Sequence, residues 1–138
     1  MPNRGSAHRN PSLTIVSTAP RPRCLYEDEH LLVLDKPSGL LSVPGRGADK
    51  QDCLIHRALV HWPDALVVHR LDMSTSGLLI VARSKDIQRQ LGNAFAARQI
   101  EKRYTAIVHG TVDALPDDGW GLVDAPLICD WDRRPLQI

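Results

Sequence analysis

A chain of 138 residues is long enough for one modest domain with a hydrophobic core. Its formal net charge of +1 excludes a global basic field, so any binding of nucleic acid would depend on local clusters of cations. The 43% of hydrophobic residues are ordinary for a globular protein, and no apolar run reaches the roughly 20 residues of a membrane-spanning helix.

The cysteines and histidines give no sign of a disulfide scaffold or of a metal site. The three cysteines lie far apart and form no Cys-x-x-Cys pair, which favours reduced thiols in the cytoplasm. His56 and His61 are five positions apart and would lie on different faces of a helix. We therefore expect a cytoplasmic protein that binds no metal and makes no membrane contact.

Residues 1–23 differ in composition from the rest of the chain. They are rich in arginine, proline and serine and contain no acidic residue, which predicts a disordered leader. An organelle transit peptide is the alternative, because such segments share this composition. The folded part is then expected over residues 24–138.

The first predicted element of the folded part is a strand at His30–Asp35, after a short lead-in. Pro37 lacks an amide donor and Gly39 accepts a positive φ angle, so the strand should end at Lys36. The stretch that follows, LLSVPGRGADKQ, contains two glycines and two cations and predicts a long, pliable loop.

A helix and two strands are expected next. The apolar residues of DCLIHRALVHWP recur at roughly helical spacing over 52–61, where Asp52 is placed to cap the start and Pro63 to end the helix. The segment ALVVHRLD is β-branched in its first half and predicts a strand. The continuous apolar run GLLIVARS predicts a strand that is buried on both faces.

The last third of the chain predicts a second helix and further strands. Apolar residues from Ile87 to Phe95 recur on one face of a helix over 86–98, with Ser84 as its N-cap. The segment RYTAIVHG alternates as a strand does, and another strand-like segment begins at Leu127–Cys129. The pattern predicts an α+β fold with a mixed, largely antiparallel sheet and flanking helices.

A polar segment, HRLDMSTSG, separates two apolar runs between His69 and Gly77. Residues two apart on an extended chain point to the same side, so Arg70 and Asp72 should face the open surface while Leu71 faces inward. An arginine beside an aspartate favours the ionised acid, which can act as a nucleophile or a base. The alternative is a surface ion pair that contributes little to stability.

Three segments together resemble the RluA-type pseudouridine synthases. HRLDMSTSG resembles the family's central motif HRLDxxTSG, LDKPSGLLSVPG resembles its upstream Lys-Pro segment, and KRYTAIVHG resembles its downstream Lys-x-Tyr strand. Their order and spacing agree with the family, and the similarity extends from about Leu25 to Pro135. The resemblance implies the family's catalytic fold and the isomerisation of uridine to pseudouridine in RNA, a reaction that requires no cofactor.

The resemblance also implies roles for single residues. Asp72 takes the position of the catalytic aspartate, as a nucleophile at C1′ or as a base toward a sugar proton. Arg70 matches the arginine that holds the target nucleotide out of the stack. Tyr104 matches the tyrosine that packs on the uracil, although spacing alone would place it in the core. Thr75 belongs to a hydroxyl-rich turn that can fix this loop.

Several cations are candidates for contact with RNA, although such charges are ordinarily part of a solvated face. Lys36 either contacts the substrate or ends a strand under the floor of the site. The candidates for phosphate contact are Arg46, Lys50, Arg98, Lys102 and Arg103.

The family's catalytic domain continues beyond this length, so residues 24–138 are expected to be its N-terminal portion. We expect a monomer whose partner is structured RNA, namely a stem-loop of 23S rRNA, of tRNA, or of both. A module that binds RNA without reacting is one alternative. Another is a hydrolase of glycosidic bonds that uses Asp35 and Asp72, which would then lie within about 5–10 Å of each other.

Overall fold

The computed structural model describes residues 20–111 and 119–133, so nearly all of the expected leader over residues 1–23 lies outside the described residues. The chain divides into two units, residues 1–101 and residues 102–138. Every helix and strand that is described belongs to the first unit.

The first unit contains a four-stranded sheet. Its strands are β1 (Arg23–Glu27), β2 (Leu31–Lys36), β3 (Leu66–Val67) and β4 (Gly77–Ala82), in the order β1-β2-β4-β3. All three pairings are antiparallel, and the parallel contact that the described residues contain is an isolated bridge between Leu41 and Cys53. The predicted α+β fold with a largely antiparallel sheet is thus confirmed.

The hydrophobic core lies on one face of this sheet. Leu32 and Leu34 of β2 alternate with half-buried neighbours and face the core beside Leu79 and Val81 of β4, and all four side chains are fully buried. This alternation follows from the two-residue period of a strand. Burial of each such side chain contributes about 1.5–3 kcal/mol to stability.

The described residues of the first unit also contain three helical segments: a 3-10 turn at Ala48–Lys50, α1 at Leu54–Leu59 and α2 at Lys85–Ala96. The predicted cap of α2 is confirmed, because the Ser84 hydroxyl accepts a hydrogen bond from the Ile87 amide. The predicted cap of α1 is wrong. Cys53 precedes that helix, and Asp52 instead binds the Arg57 guanidinium through two hydrogen bonds.

The structure differs from the predicted strands at five places. β1 was not predicted as a strand, because its residues are mostly exposed at the edge of the sheet and lack the alternation of a half-buried strand. The predicted strand ALVVHRLD shrinks to Leu66–Val67. β4 is not buried on both faces, since the Leu78 side chain is 60% exposed. Among the described residues no strand forms at 103–110, and of Leu127–Cys129 only Cys129 takes part in an isolated bridge.

No helix of the described residues combines the length and the apolar character that crossing a lipid bilayer demands. The longest of the described helices is α2, with 12 residues. It packs against β3 and β4, and the Gln88 side chain donates a hydrogen bond of 2.7 Å to the Val67 carbonyl.

Candidate functional site

The candidate site is built from two segments of the first unit. We call Lys36–Ser42, which begins at the last residue of β2, the anchor segment, and Arg70–Ser76, which precedes β4, the site loop. Since β3 ends at Val67, the site loop has no strand ladder and depends on the anchor segment for its hydrogen bonds.

Lys36 is the one cation of the anchor segment and is fully buried, with 0% of its surface exposed. Its ammonium donates hydrogen bonds to the main-chain oxygens of Pro37 at 3.0 Å, Leu40 at 2.6 Å and Met73 at 3.1 Å. Burial lowers the pKa of the ammonium below 10.5, and the nearby Asp72 carboxylate acts in the opposite direction. This placement favours the structural alternative for Lys36 over direct contact with a substrate.

Ser42 binds the site loop immediately before its aspartate. The buried hydroxyl donates a hydrogen bond of 2.6 Å to the Leu71 carbonyl and accepts one of 3.0 Å from the Leu71 amide. Both main-chain groups of Leu71 are therefore satisfied by one side chain.

The far side of the site loop is also held. The Gly39 amide donates a hydrogen bond of 2.7 Å to the Met73 carbonyl, and the Ser38 hydroxyl donates one of 2.7 Å to the Ser74 carbonyl. Gly39 adopts a φ of 86°, as the sequence predicted for a position that requires glycine. The residues on both sides of Asp72 are thus tied to the anchor segment.

Arg70 and Asp72 are exposed on either side of the buried Leu71, as the sequence predicted. The predicted reason is wrong, because this part of the chain is a loop and not a strand. No ion pair joins Arg70 to Asp72 within the described part of the chain, so the two side chains are presented separately to solvent. The Thr75 amide closes the turn by donating to the Asp72 carbonyl at 3.1 Å.

His69 supports the site loop from the side of the sheet. Its Nε2 atom accepts a hydrogen bond of 3.0 Å from the Ile80 amide, and its ring stacks on Phe95 with centroids 4.5 Å apart. Because Nε2 accepts, the proton of this imidazole is on Nδ1. The side chain thereby supplies a main-chain amide of β4 with an acceptor where β3 has already ended.

The other predicted residues lie elsewhere. Arg46 is exposed in a loop that Gln51 closes by donating to the carbonyls of Gly45 and Gly47. The glycines of this loop led us to predict a pliable segment, but these hydrogen bonds hold it in place. In the second unit, Tyr104 is 63% exposed and the Arg103 guanidinium lies 5.8 Å from the Trp120 ring centroid.

A cavity of about 230 Å³ also occurs in the first unit, but its lining does not include Asp72. Its walls are Pro20, Arg21, Pro22, Arg23, Asp35, Pro37, Leu40, Leu54 and Arg57. Across residues 20–111 and 119–133, no group of three or more His, Cys, Asp or Glu side chains could hold a metal ion.

Sequence reasoning missed the two serines of the anchor segment. The signal that could have indicated Ser42 is a single polar residue inside the apolar run LLSV. A buried polar side chain requires a hydrogen-bond partner, and here the partner is the loop that carries Asp72.

Comparison with known proteins identifies relatives of this chain. The family model described as RNA pseudouridylate synthase matches residues 30–127. The protein of Escherichia coli strain K12 named dual-specificity RNA pseudouridine synthase RluA is 49% identical over 113 residues, which cover 82% of this chain and 50% of that protein. Its namesake from Vibrio parahaemolyticus is 48% identical over 120 residues, 87% of this chain and 46% of that protein. These matches confirm the resemblance that the motifs predicted.

A solved structure of the human protein named "RNA Pseudouridylate Synthase Domain Containing 4" has 28% sequence identity to this chain and a TM-score of 0.46. The match covers 55% of this chain and 30% of the human one. The chain spans about half the length of the curated relatives that it matches.

Proposed function

The chain belongs to the RNA pseudouridylate synthase family, and from this premise we propose that it isomerises uridine to pseudouridine in RNA with Asp72 as the catalytic carboxylate. One observation carries the proposal: an exposed aspartate on a loop that a buried lysine and a buried serine hold by hydrogen bonds on either side of it. A carboxylate that reacts with a nucleotide has to be accessible and has to be held in position.

The proposed reaction exchanges one bond of uridine for another. The bond between N1 and C1′ breaks, the base turns, and a bond between C5 and C1′ forms. C5 releases its hydrogen as a proton and N1 gains a proton, so the product is an isomer of the substrate. Asp72 either attacks C1′ or removes a sugar proton, and both roles need the ionised carboxylate beside the ribose.

The exposed groups near Asp72 suit a nucleotide that has left the helical stack. Arg70 would fill the gap left by the base and pair with phosphate through its planar guanidinium. Thr75 would fix the turn that presents Asp72, and Lys36 would support that turn from below. The resemblance of the motifs adds Tyr104, an exposed residue of the second unit, to the proposal as the side chain that would pack on the uracil.

The proposed partner is structured RNA, either a stem-loop of 23S rRNA, one of tRNA, or both. The curated relatives described above carry the words dual-specificity RNA in their names, which supports more than one kind of RNA substrate. Arg46 and Arg103 are exposed and would bind phosphates, so RNA binding should weaken as the salt concentration rises. We also propose that the protein acts as a monomer in the cytoplasm.

The substitution Asp72→Asn tests the proposal. RNA that carries tritium at C5 of uridine releases tritium to water when the new carbon bond forms, so release measures turnover directly. Asp72→Asn should abolish release and leave RNA binding nearly intact, because the amide keeps the shape and loses the charge. The matched control is Glu29→Gln, which removes an exposed carboxylate at the opposite end of β2 and should retain full turnover.

The same assay distinguishes the proposed isomerisation from a second candidate function, the binding of RNA without catalysis. RNA retention without tritium release by the unsubstituted chain would support binding alone, whereas near-normal release by Asp72→Asn would contradict the role of Asp72.

A glycosidic hydrolase with two carboxylates has less support. Asp35 accepts a hydrogen bond of 3.4 Å from Arg23. Asp35 and Lys36 are neighbours on β2, so their side chains point to opposite faces of the sheet. Since Lys36 binds the site loop, the carboxylate of Asp35 is directed away from it. Free uracil among the products would be the evidence for this hydrolase.

A further inference from the structure

Ser42 connects the site loop to the helical part of the core. The Ile55 amide donates a hydrogen bond of 3.2 Å to the Ser42 carbonyl, and the Leu54 amide donates one of 2.8 Å to the Leu41 carbonyl. The first amides of a helix have no partner within the helix, so these bonds fix Ser42 to the start of α1. Leu54 and Ile55 are themselves buried in the core.

The side chain of Ser42 extends this connection to Leu71. Leu71 is 9% exposed and Ser42 is 3% exposed, so both partners are inside the protein. Buried main-chain groups require partners, and at Leu71 no strand supplies them because β3 has ended at Val67. A hydroxyl can donate and accept at once, and here it does both toward one residue.

We propose that Ser42 is a positioning residue that holds Asp72 at the reacting ribose by fixing the main chain of Leu71 to the start of α1. The inference rests on the proposed function, because it assigns Ser42 a task in that reaction. Lys36 and Ser38 bind residues that follow Asp72, whereas Ser42 binds the residue directly before it. Removal of the Ser42 hydroxyl therefore releases the main chain before Asp72, whereas the hydrogen bonds to the residues after Asp72 remain.

The test compares Ser42→Ala with Ser84→Ala in the full chain. Each substitution removes one serine hydroxyl that accepts a main-chain hydrogen bond, but Ser84 caps α2 and does not contact the site loop. Turnover is measured by tritium release from C5, as kcat and KM separately. Amide hydrogen exchange at Leu71 is measured on the same samples by NMR and does not depend on activity.

Ser42→Ala should lower kcat by about 10- to 100-fold and leave KM within about threefold, because a small displacement of a catalytic group costs that much. Exchange of the Leu71 amide should accelerate on the order of tenfold, as a lost hydrogen bond predicts. Ser84→Ala should change neither the kinetic constants nor the exchange rate of the Leu71 amide. Ser42→Cys has a weaker donor and acceptor, so its kcat should lie between those of serine and alanine. It serves as the test if the alanine variant does not fold.

An unchanged kcat in Ser42→Ala, or a rise in KM alone, would overturn the positioning role, as would a cysteine variant with the full kcat. Failure of the proposed function has a different signature, namely no tritium release from the unsubstituted chain. In that case the exchange rates still decide about Ser42: unchanged exchange at Leu71 would overturn the inference, and faster exchange would support its structural part.

Discussion

The Nζ atom of Lys36 donates a hydrogen bond of 3.1 Å to the main-chain oxygen of Met73, 37 positions further along the chain. Its two other hydrogen bonds go to Pro37 and Leu40 within the anchor segment. One fully buried cation therefore connects the end of β2 to the loop that presents Asp72.

Lys36→Met should lower the free energy of unfolding by at least about 2 kcal/mol, because buried acceptors would lose their donor. Urea denaturation at pH 7 measures this loss. The control Lys85→Met alters an exposed lysine in the first turn of α2 and should change the free energy by less than about 0.5 kcal/mol. Equal stability of the two variants would show that the ammonium does not hold the site loop.

The stability that depends on Lys36 should increase with pH in the alkaline range. Burial lowers the pKa of Lys36 in the folded chain, so the unfolded chain binds more protons between this lowered pKa and 10.5. Where the unfolded state binds more protons, the free energy of unfolding rises with pH. The difference in this free energy between the unsubstituted chain and Lys36→Met should therefore grow from pH 8 toward 10.5. A flat difference would contradict the lowered pKa.

His69→Leu should lower the free energy of unfolding by about 1–3 kcal/mol, because the Ile80 amide would lose its acceptor inside the protein. Loss of the ring stack with Phe95 adds to this effect. Exchange of the Ile80 amide should accelerate in the same variant. His30→Leu, at an exposed histidine, is the control and should leave that amide protected.

Two glycines should respond to alanine in opposite directions. Gly39→Ala should destabilise the fold by about 1–2 kcal/mol, because a side chain is disfavoured at a φ of 86°. Gly92→Ala should stabilise it by about 0.5–1 kcal/mol, because Gly92 lies inside α2 and a Cβ there would meet nothing within 4 Å. Thermal denaturation of both variants gives the comparison, and the same sign for both would contradict it.

The elements with a strong local pattern were predicted within a few residues. β2 and α2 follow the two-residue and helical periods of their apolar residues, and Ser84 caps α2 as its position predicts. The elements without such a pattern were missed or overextended. β1 depends on pairing with β2, and β3 ends after two residues where His69 takes over the bond to β4.

The candidate site shows the same division. The sequence indicated Asp72 and Arg70 through their motif, and the structure shows both exposed. It did not indicate that the buried hydroxyl of Ser42 and the ammonium of Lys36 would bind the residues around Asp72. These contacts join positions 29 and 37 residues apart, and no local pattern reports them.

The amino-acid sequence by itself determined the family, the main secondary-structure elements and the acidic residue proposed for catalysis, because periodicity and motifs are properties of neighbouring residues. Only the tertiary structure decided how the acid is held. A buried hydroxyl or ammonium has to find its partners wherever folding brings acceptors within about 3 Å. For this chain those partners are the main-chain groups of Leu71 and Met73, on either side of Asp72.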